Sequence, residues 1–199
     1  MQYYISYFGA TMSTNEFIPV TDPRIYCYIT YPKLTPLITS GTFEKGNMMA
    51  ASWVTYLSFR PPLFGVSIAP GRYTHELIEK YECFGICFLP FELVKKVWDA
   101  GNVSGRDVDK FKMLGLTKMK AAKITAPLIK ESIACLECKL YAKHPVGDHT
   151  FFVGEIVHAW VRRGMLKGKI LNLEKAKQVY YAGDGYFITL DPKTLKRLY

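Results

Sequence analysis

Fifteen glycines and eleven prolines cut this 199-residue chain into short apolar runs, none long enough for a long uninterrupted helix. Glycine and proline are the strongest local punctuators of structure, so the runs between them read as strands. The expected strands are Arg24 to Thr30, Leu37 to Phe43, Met48 to Ser58, Leu63 to Ala69, Cys83 to Leu89, Ile133 to Ala142, Phe151 to Val161 and Tyr186 to Leu190. Many short strands with few helices predict a mainly β, antiparallel barrel, closed or partly open, because closure removes exposed edges. Two helices interrupt the pattern: Thr74 to Lys80, with Thr74 as the expected N-cap, and Phe91 to Ala100, ended by Gly101. Phe91, Val94, Val97 and Trp98 share one face of the second. A third short helix is expected near Asp107, with Phe111 and Leu114 as its apolar contacts. Together the helices form a small insertion on the barrel surface.

A hydrophobic fraction of 49% and an aromatic fraction of 15% are enough for one globular domain over residues 1–199 and argue against disorder. Residues 1–16 read as an N-terminal extension, and either Met1 or Met12 can serve as the start. The first eleven residues carry no Lys or Arg ahead of an apolar stretch and make a poor signal peptide. No run reaches the roughly 18 apolar residues of a membrane span, so no membrane partner is expected. Five cysteines are odd in number and sparse, which points to a reducing compartment and the cytoplasm. Cys135 and Cys138 form a C-x-x-C, but on a strand, where positions three apart face opposite ways, and no second ligand pair accompanies them. Cys83 and Cys87 share a strand face and read as buried thiols. The formal charge of +9 suits nucleic acid, an anionic cofactor or an acidic protein.

Three segments carry chemistry. In Gly46 to Leu63 the small residues Ala50, Ala51 and Ser52 let a flat ligand approach the backbone, and hydroxyls beside them can bond a polyol or phosphate; on spacing alone the segment reads first as a buried barrel strand before a Pro-Pro turn. Pro70-Gly71-Arg72-Tyr73-Thr74 leads from a strand into a helix and sets a guanidinium beside free helix N-terminal amides, a ready anion site. Ser104 to Phe111 adds two further cations, Arg106 and Lys110, on a polar turn. His149 follows Gly147-Asp148 at a loop-to-strand junction, where it can overlook a pocket or simply decorate a turn. His158 shares its face with Ile156 and Trp160 and reads as packing, His75 and His144 carry no constellation, and no H-x-x-x-H or H-x-E pattern supports a metal.

In order and spacing these segments resemble the flavin reductase-like family of FMN-binding split barrels, which includes flavoredoxins and the reductase components of two-component monooxygenases. The resemblance runs from about Tyr28 to Tyr186 and rests on Gly46-Asn47 with Ala51-Ser52-Trp53-Val54, Ser58 with Pro61-Pro62-Leu63, and Arg72-Tyr73-Thr74. It continues through Ser104-Gly105-Arg106 with Asp109-Lys110-Phe111, and Gly147-Asp148-His149 with Val153-Gly154-Glu155. It implies a Greek-key split β-barrel holding FMN, with Asn47, Ala51, Ser52, Trp53 and Val54 around the ring and ribityl chain. Arg72, Thr74 and Lys110 would meet the phosphate, Ser67 and Ala69 would add contacts, and His149 would stand near the flavin or nicotinamide as the catalytic candidate. It also implies a homodimer with each flavin close to the interface.

The implied activity is electron transfer from NAD(P)H or a protein donor through FMN, as an NAD(P)H-dependent FMN reductase serving a redox protein or monooxygenase. A carrier that retains its flavin is the alternative. No G-x-G-x-x-G crossover is present, so NAD(P)H would bind by stacking over the flavin. A basic barrel binding single-stranded nucleic acid as an OB-fold does is a further, disfavoured alternative.

Overall fold

The computed structural model describes residues 17–198, so the extension expected at residues 1–16 lies outside the described residues. These residues fall into two units, divided after Thr30. In the first, the strand expected at Arg24 to Thr30 is instead a short helix, α1 (Pro23–Ile29). The reason is local: Asp22 accepts from the Arg24 N–H at 2.9 Å as the N-cap, and Pro23 occupies the first turn, where its missing N–H costs nothing.

The second unit is built on one antiparallel sheet of seven strands: β1 (Leu37–Gly41), β2 (Gly46–Ala50), β3 (Val54–Phe59), β4 (Pro62–Ile68), β5 (Cys83–Phe88), β6 (Ala134–Val146) and β7 (His149–Val161). Their spatial order is β2-β1-β5-β6-β7-β4-β3. The two edge strands, β2 and β3, are consecutive in sequence and separated only by Ala51, Ser52 and Trp53. Extended chain spans about 3.3 Å per residue, so that link forces the sheet to curl until its edges meet. The link pairs with both sides, Ala51 N–H with the Pro36 carbonyl at 3.1 Å and Ser67 N–H with the Trp53 carbonyl at 2.9 Å. This is the split barrel. The single strand expected over Met48 to Ser58 is therefore two strands broken at the seam.

Strand alternation sorts the apolar side chains into two clusters. Leu37, Met48, Cys87, Cys135 and Val179 pack with Val97 and Ala100 of α3 (Val94–Asn102) and with Phe111 and Leu114 of α4 (Lys110–Leu114). Ile38, Phe64, Val66, Phe84, Ile86, Cys138 and Phe152 form the other, closed by Ile78 of α2 (Tyr73–Tyr81). Cys135 and Cys138 thus lie on opposite faces of β6, as their spacing requires. Phe91 to Leu93 is a tighter helical turn ahead of α3, and α3 runs through Gly101 rather than stopping there. Near the C-terminus Tyr180–Gly183 pairs with Tyr186–Ile188 and with Lys33–Leu34.

Buried polar groups must find partners, and two do so by tying elements together. Glu137, wholly buried on β6, accepts from the N–H groups of Ala122 (2.9 Å) and Lys123 (2.6 Å) and from Trp160 Nε1 (2.7 Å). His75, which no motif singled out, is buried under α2 with Nε2 2.8 Å from Thr150 Oγ1 and its ring edge-on to Phe152; burial lowers its pKa, opposed by the neighbouring Glu79 carboxylate. Replacing Glu137 by Ala strands all three donors, so the variant should lose roughly 3 kcal/mol of stability or more. Urea denaturation measures this, and a loss under about 1 kcal/mol would deny the carboxylate its structural role.

Candidate functional site

Two cavities adjoin at Ala50, beside the seam. One, of about 420 Å³, is bounded by β2, the start of α2, the end of α3 and the loop from Val103 to Arg106. The other, of about 300 Å³, is bounded by Ala51, Ser52, Trp53, Ser67, Ala69 and His149 among others. Met49, Ala50 and Arg72 line both.

The first cavity is a cationic cradle, lined by Arg72, Arg106 and Lys110. Helix α2 starts at Tyr73 with Arg72 as its cap residue, and no side chain caps its amides. Thr74 is thus inside the helix rather than its N-cap: its hydroxyl turns inward, buried, and accepts from Asn47 Nδ2 at 2.8 Å. That bond fixes the Asn47 amide, whose buried Oδ1 has no partner; Asn47 is among the residues of the cavity wall. A Cβ on Gly105 would sit 2.1 Å from this Oδ1, so only glycine lets the loop close over Asn47. Lys110 is almost fully buried, and its Nζ donates to the carbonyls of Met48 (2.8 Å) on edge strand β2 and Ala100 (2.7 Å) in the last turn of α3. Burial, with the Arg72 charge adding to it, lowers the Lys110 pKa to about 8. Arg72 is exposed, and among the described residues no carboxylate pairs with it. Arg106 is more tightly engaged, with Glu76 at 3.0 Å, the Gly71 carbonyl at 3.1 Å and the Tyr73 ring 5.1 Å beneath it.

The second cavity has aromatic walls. Trp53 Nε1 donates to the Tyr31 hydroxyl at 3.1 Å, and that hydroxyl lies 3.3 Å from Ser52 Oγ. A two-residue turn, with Gly147 at φ +60°, joins β6 to β7 and makes His149 the first residue of the returning strand. Its ring packs on Trp53, centroids 4.7 Å apart, and Nδ1 lies 2.6 Å from Asp148 Oδ1. That bond to His149 lowers the Asp148 pKa and keeps the carboxylate an acceptor, so Nδ1 carries the hydrogen and Nε2 is left for chemistry.

The structure therefore gathers Asn47, Arg72, Thr74 and Lys110 at one cavity, and Ala51, Ser52, Trp53, Ser67, Ala69 and His149 at the other. Val54 packs on the inner cluster and lines neither. Sequence reasoning missed Tyr31, Met49 and an aromatic wall of Trp98, Tyr181 and Phe187 that bounds a further cavity with Arg72. The last three come from distant elements and carry no local motif; the Ser104-Gly105-Arg106 turn did flag the loop.

The chain matches the family described as "Flavin reductase like domain" over residues 29–187. It is 42% identical over 144 residues to an uncharacterized protein of Pyrococcus abyssi, covering 72% of this chain and 83% of that one. Among solved structures, flavoredoxin from Methanosarcina acetivorans superposes with a TM-score of 0.82 at 28% identity, covering 92% of this chain and 96% of its own. An FMN-binding protein from Thermus thermophilus with bound 1-cyclohex-2-enone gives 0.77 at 31% identity, covering 94% and 100%.

The Lys110 ammonium has a consequence for binding. Its pKa of about 8 means that the cradle loses a positive charge as pH rises past that value, while Arg72 stays charged. Affinity for inorganic phosphate, measured by calorimetry, should fall between pH 8 and 10 and do so less in Lys110→Gln. A flat profile in the wild type would place the Lys110 charge outside the cradle's chemistry.

Proposed function

Because this chain belongs to the flavin reductase-like family, we propose that the two seam cavities together hold FMN and that the protein moves electrons through it. The observation that carries the reading is an unpaired Arg72 guanidinium shared by a cationic cavity and an aromatic-walled one, at a point where the backbone is lined by small side chains. A phosphate with two negative charges matches Arg72, the free amides of α2 and the Lys110 ammonium. The ribityl hydroxyls offer the donor that the buried Asn47 Oδ1 lacks. The ring has a floor in Ala50 to Ser52 and a polar rim in Ser52 and Ser67. When bound, the flavin supplies the redox chemistry, accepting a hydride at N5 and passing electrons on.

The chain's own residues bind, orient and support. Arg72 and Lys110 anchor the phosphate end, the Trp53–Tyr31–Ser52 bonds fix the wall beside the ring, and His149 Nε2 offers a hydrogen-bond acceptor in the wall of the second cavity. The donor in this reading is NAD(P)H stacked over the flavin, which makes the protein an NAD(P)H-dependent FMN reductase. A carrier role like that of flavoredoxin differs only in how tightly the flavin is kept, and a monooxygenase or another redox protein is the acceptor. The exposed apolar side chains of edge strand β3, Tyr56, Leu57 and Phe59, support a homodimer with the flavins near its interface.

Purified protein should take up FMN at about one per chain, seen as flavin absorbance after gel filtration; a colourless protein with no calorimetric binding would end this reading. Arg72→Ala should weaken FMN by about 1.5 to 3 kcal/mol, roughly ten- to one-hundred-fold, and riboflavin far less. Equal losses for both would put Arg72 away from the phosphate. His149→Ala should slow anaerobic reduction of bound FMN by NAD(P)H by a factor on the order of 10² while leaving FMN affinity within a few-fold. An unchanged stopped-flow rate would leave this histidine a turn residue.

A further inference from the structure

The middle of the sheet holds a pair of thiols that the seam does not use. Cys87 of β5 and Cys135 of β6 are register partners, both buried, and both belong to the cluster beside α3 and α4. Glu82 and Leu140 extend the same register, and there the Leu140 N–H donates to the Glu82 carbonyl at 2.8 Å. Hydrogen-bonded and non-hydrogen-bonded pairs alternate along an antiparallel ladder, so counting from Glu82 to Cys87 makes Cys87 and Cys135 a non-hydrogen-bonded pair. In such pairs the Cα atoms stand about 4.5 Å apart and the side chains approach most closely. A disulfide spans Cα separations of roughly 4.4 to 6.8 Å.

The two sulfurs are not equivalent. Cys87 is sealed in the core, and burial raises its pKa well above the usual thiol range, with the Cys135 sulfur adding to the shift. The Cys87 thiol in turn bonds to Cys135 and lowers the Cys135 pKa, opposed by burial. Cys135 also stands in the wall of a cavity of about 180 Å³, none of whose residues lines the seam cavities. Ser132 is in the same wall, and its buried Oγ has no hydrogen-bond partner. Arg162 completes the polar part of it, its guanidinium held by the carbonyls of Ser132 (3.0 Å) and Lys130. A cation near a thiol favours the thiolate, the form that reacts. A water takes about 30 Å³, so a space of this size admits a molecule as small as hydrogen peroxide and excludes a peptide disulfide.

We propose that Cys135 and Cys87 form a peroxide-reactive thiol pair, in which Cys135 is the attacking sulfur and Cys87 resolves it. The Cys135 sulfur forms an S–O bond with one oxygen of hydrogen peroxide as the O–O bond breaks; the thiol proton ends on the departing oxygen, which leaves as water, and Cys135 becomes a sulfenic acid. The Cys87 sulfur then forms an S–S bond with Cys135 as the S–O bond breaks, and the hydroxyl leaves with the Cys87 proton as a second water. Two thiols are oxidised by two electrons, and the peroxide is reduced to two waters. No residue of the seam takes part, so the proposal stands apart from the flavin reading.

The test treats the reduced full-length chain, freed of reductant, with a modest excess of hydrogen peroxide and follows each cysteine by alkylation and peptide mass spectrometry. The wild type should form one intramolecular disulfide between Cys87 and Cys135, reversed by dithiothreitol. Cys83 and Cys138 should react at least about tenfold more slowly, since the thiol is the unreactive form and burial holds Cys138 well above its usual pKa. In Cys87→Ala the reaction should stop at Cys135, where dimedone captures the sulfenic acid; in Cys135→Ser, Cys87 should stay reduced. Cys87 and Cys135 both still reduced once the partly exposed Cys27 is oxidised would overturn the proposal. A disulfide joining another buried pair, or Cys135 oxidised in the wild type with Cys87 left free, would overturn it equally. Should either variant fail to fold, the wild-type map alone decides.

Discussion

The whole arrangement depends on three residues, Ala51 to Trp53, that join the two edges of a seven-stranded sheet. A sheet of that width left open would expose two long rows of unpaired backbone groups. The short link brings those edges together instead, and the curl this imposes leaves a cleft where the edges do not fully zip. Two of the three link residues, Ala51 and Ser52, carry small side chains, and the third, Trp53, packs its ring on His149. The same smallness leaves the backbone open to a flat ligand, so the feature that closes the barrel also makes the place where something can bind.

Charge at that cleft is arranged by burial rather than by quantity. Lys110 gives two of its three N–H bonds to carbonyls that would otherwise be orphaned, one on the edge strand and one at the end of α3. It therefore acts as a strut first, and its charge reaches the cavity because the strut passes beneath it. Asn47 works similarly: Thr74 fixes its amide nitrogen and leaves its buried oxygen without a partner. Gly105 completes the set by allowing a loop to close over that amide. The Asn47 and Lys110 bonds tie β2, α2, α3 and α4 together, and both residues line the same cavity.

How much of this the sequence reveals depends on how far each signal reaches. Strand periodicity is local, so the core strands and the opposite faces of Cys135 and Cys138 are legible. The break at Ala51 to Trp53 is not, because small residues suit a strand as well as a bend and only the pairing of Ser67 and Pro36 with the link decides between them. Thr74 reads as a helix cap from its neighbours alone; its bond to Asn47 crosses 27 positions and moves the helix start to Tyr73. Asp22-Pro23 is a local helix-start signal, an acidic cap followed by proline, placed ahead of β-branched and aromatic residues whose pattern suits a strand. Trp98, Tyr181 and Phe187 were beyond reach, since nothing local distinguishes a cavity wall from core.

Net charge illustrates the same limit from the other side. A formal charge of +9 invites a search for a basic surface. Yet Arg162, Arg163, Lys167, Lys169, Lys175, Lys177, Lys193, Lys196 and Arg197 are all exposed side chains in the C-terminal segment, and none of them lines the cationic cradle. Exposed charges are screened within about 8 to 10 Å at physiological salt, so their effect on a bound anion is mainly on its approach. The cradle instead uses three cations, Arg72, Arg106 and Lys110. Of these, Arg106 is balanced by Glu76 and Lys110 is held by carbonyls, which leaves Arg72 as the charge with the greatest freedom to follow a ligand. Its position in the wall of both seam cavities makes one guanidinium common to the cationic cradle and the aromatic-walled cavity, a property of placement that no count of charges contains.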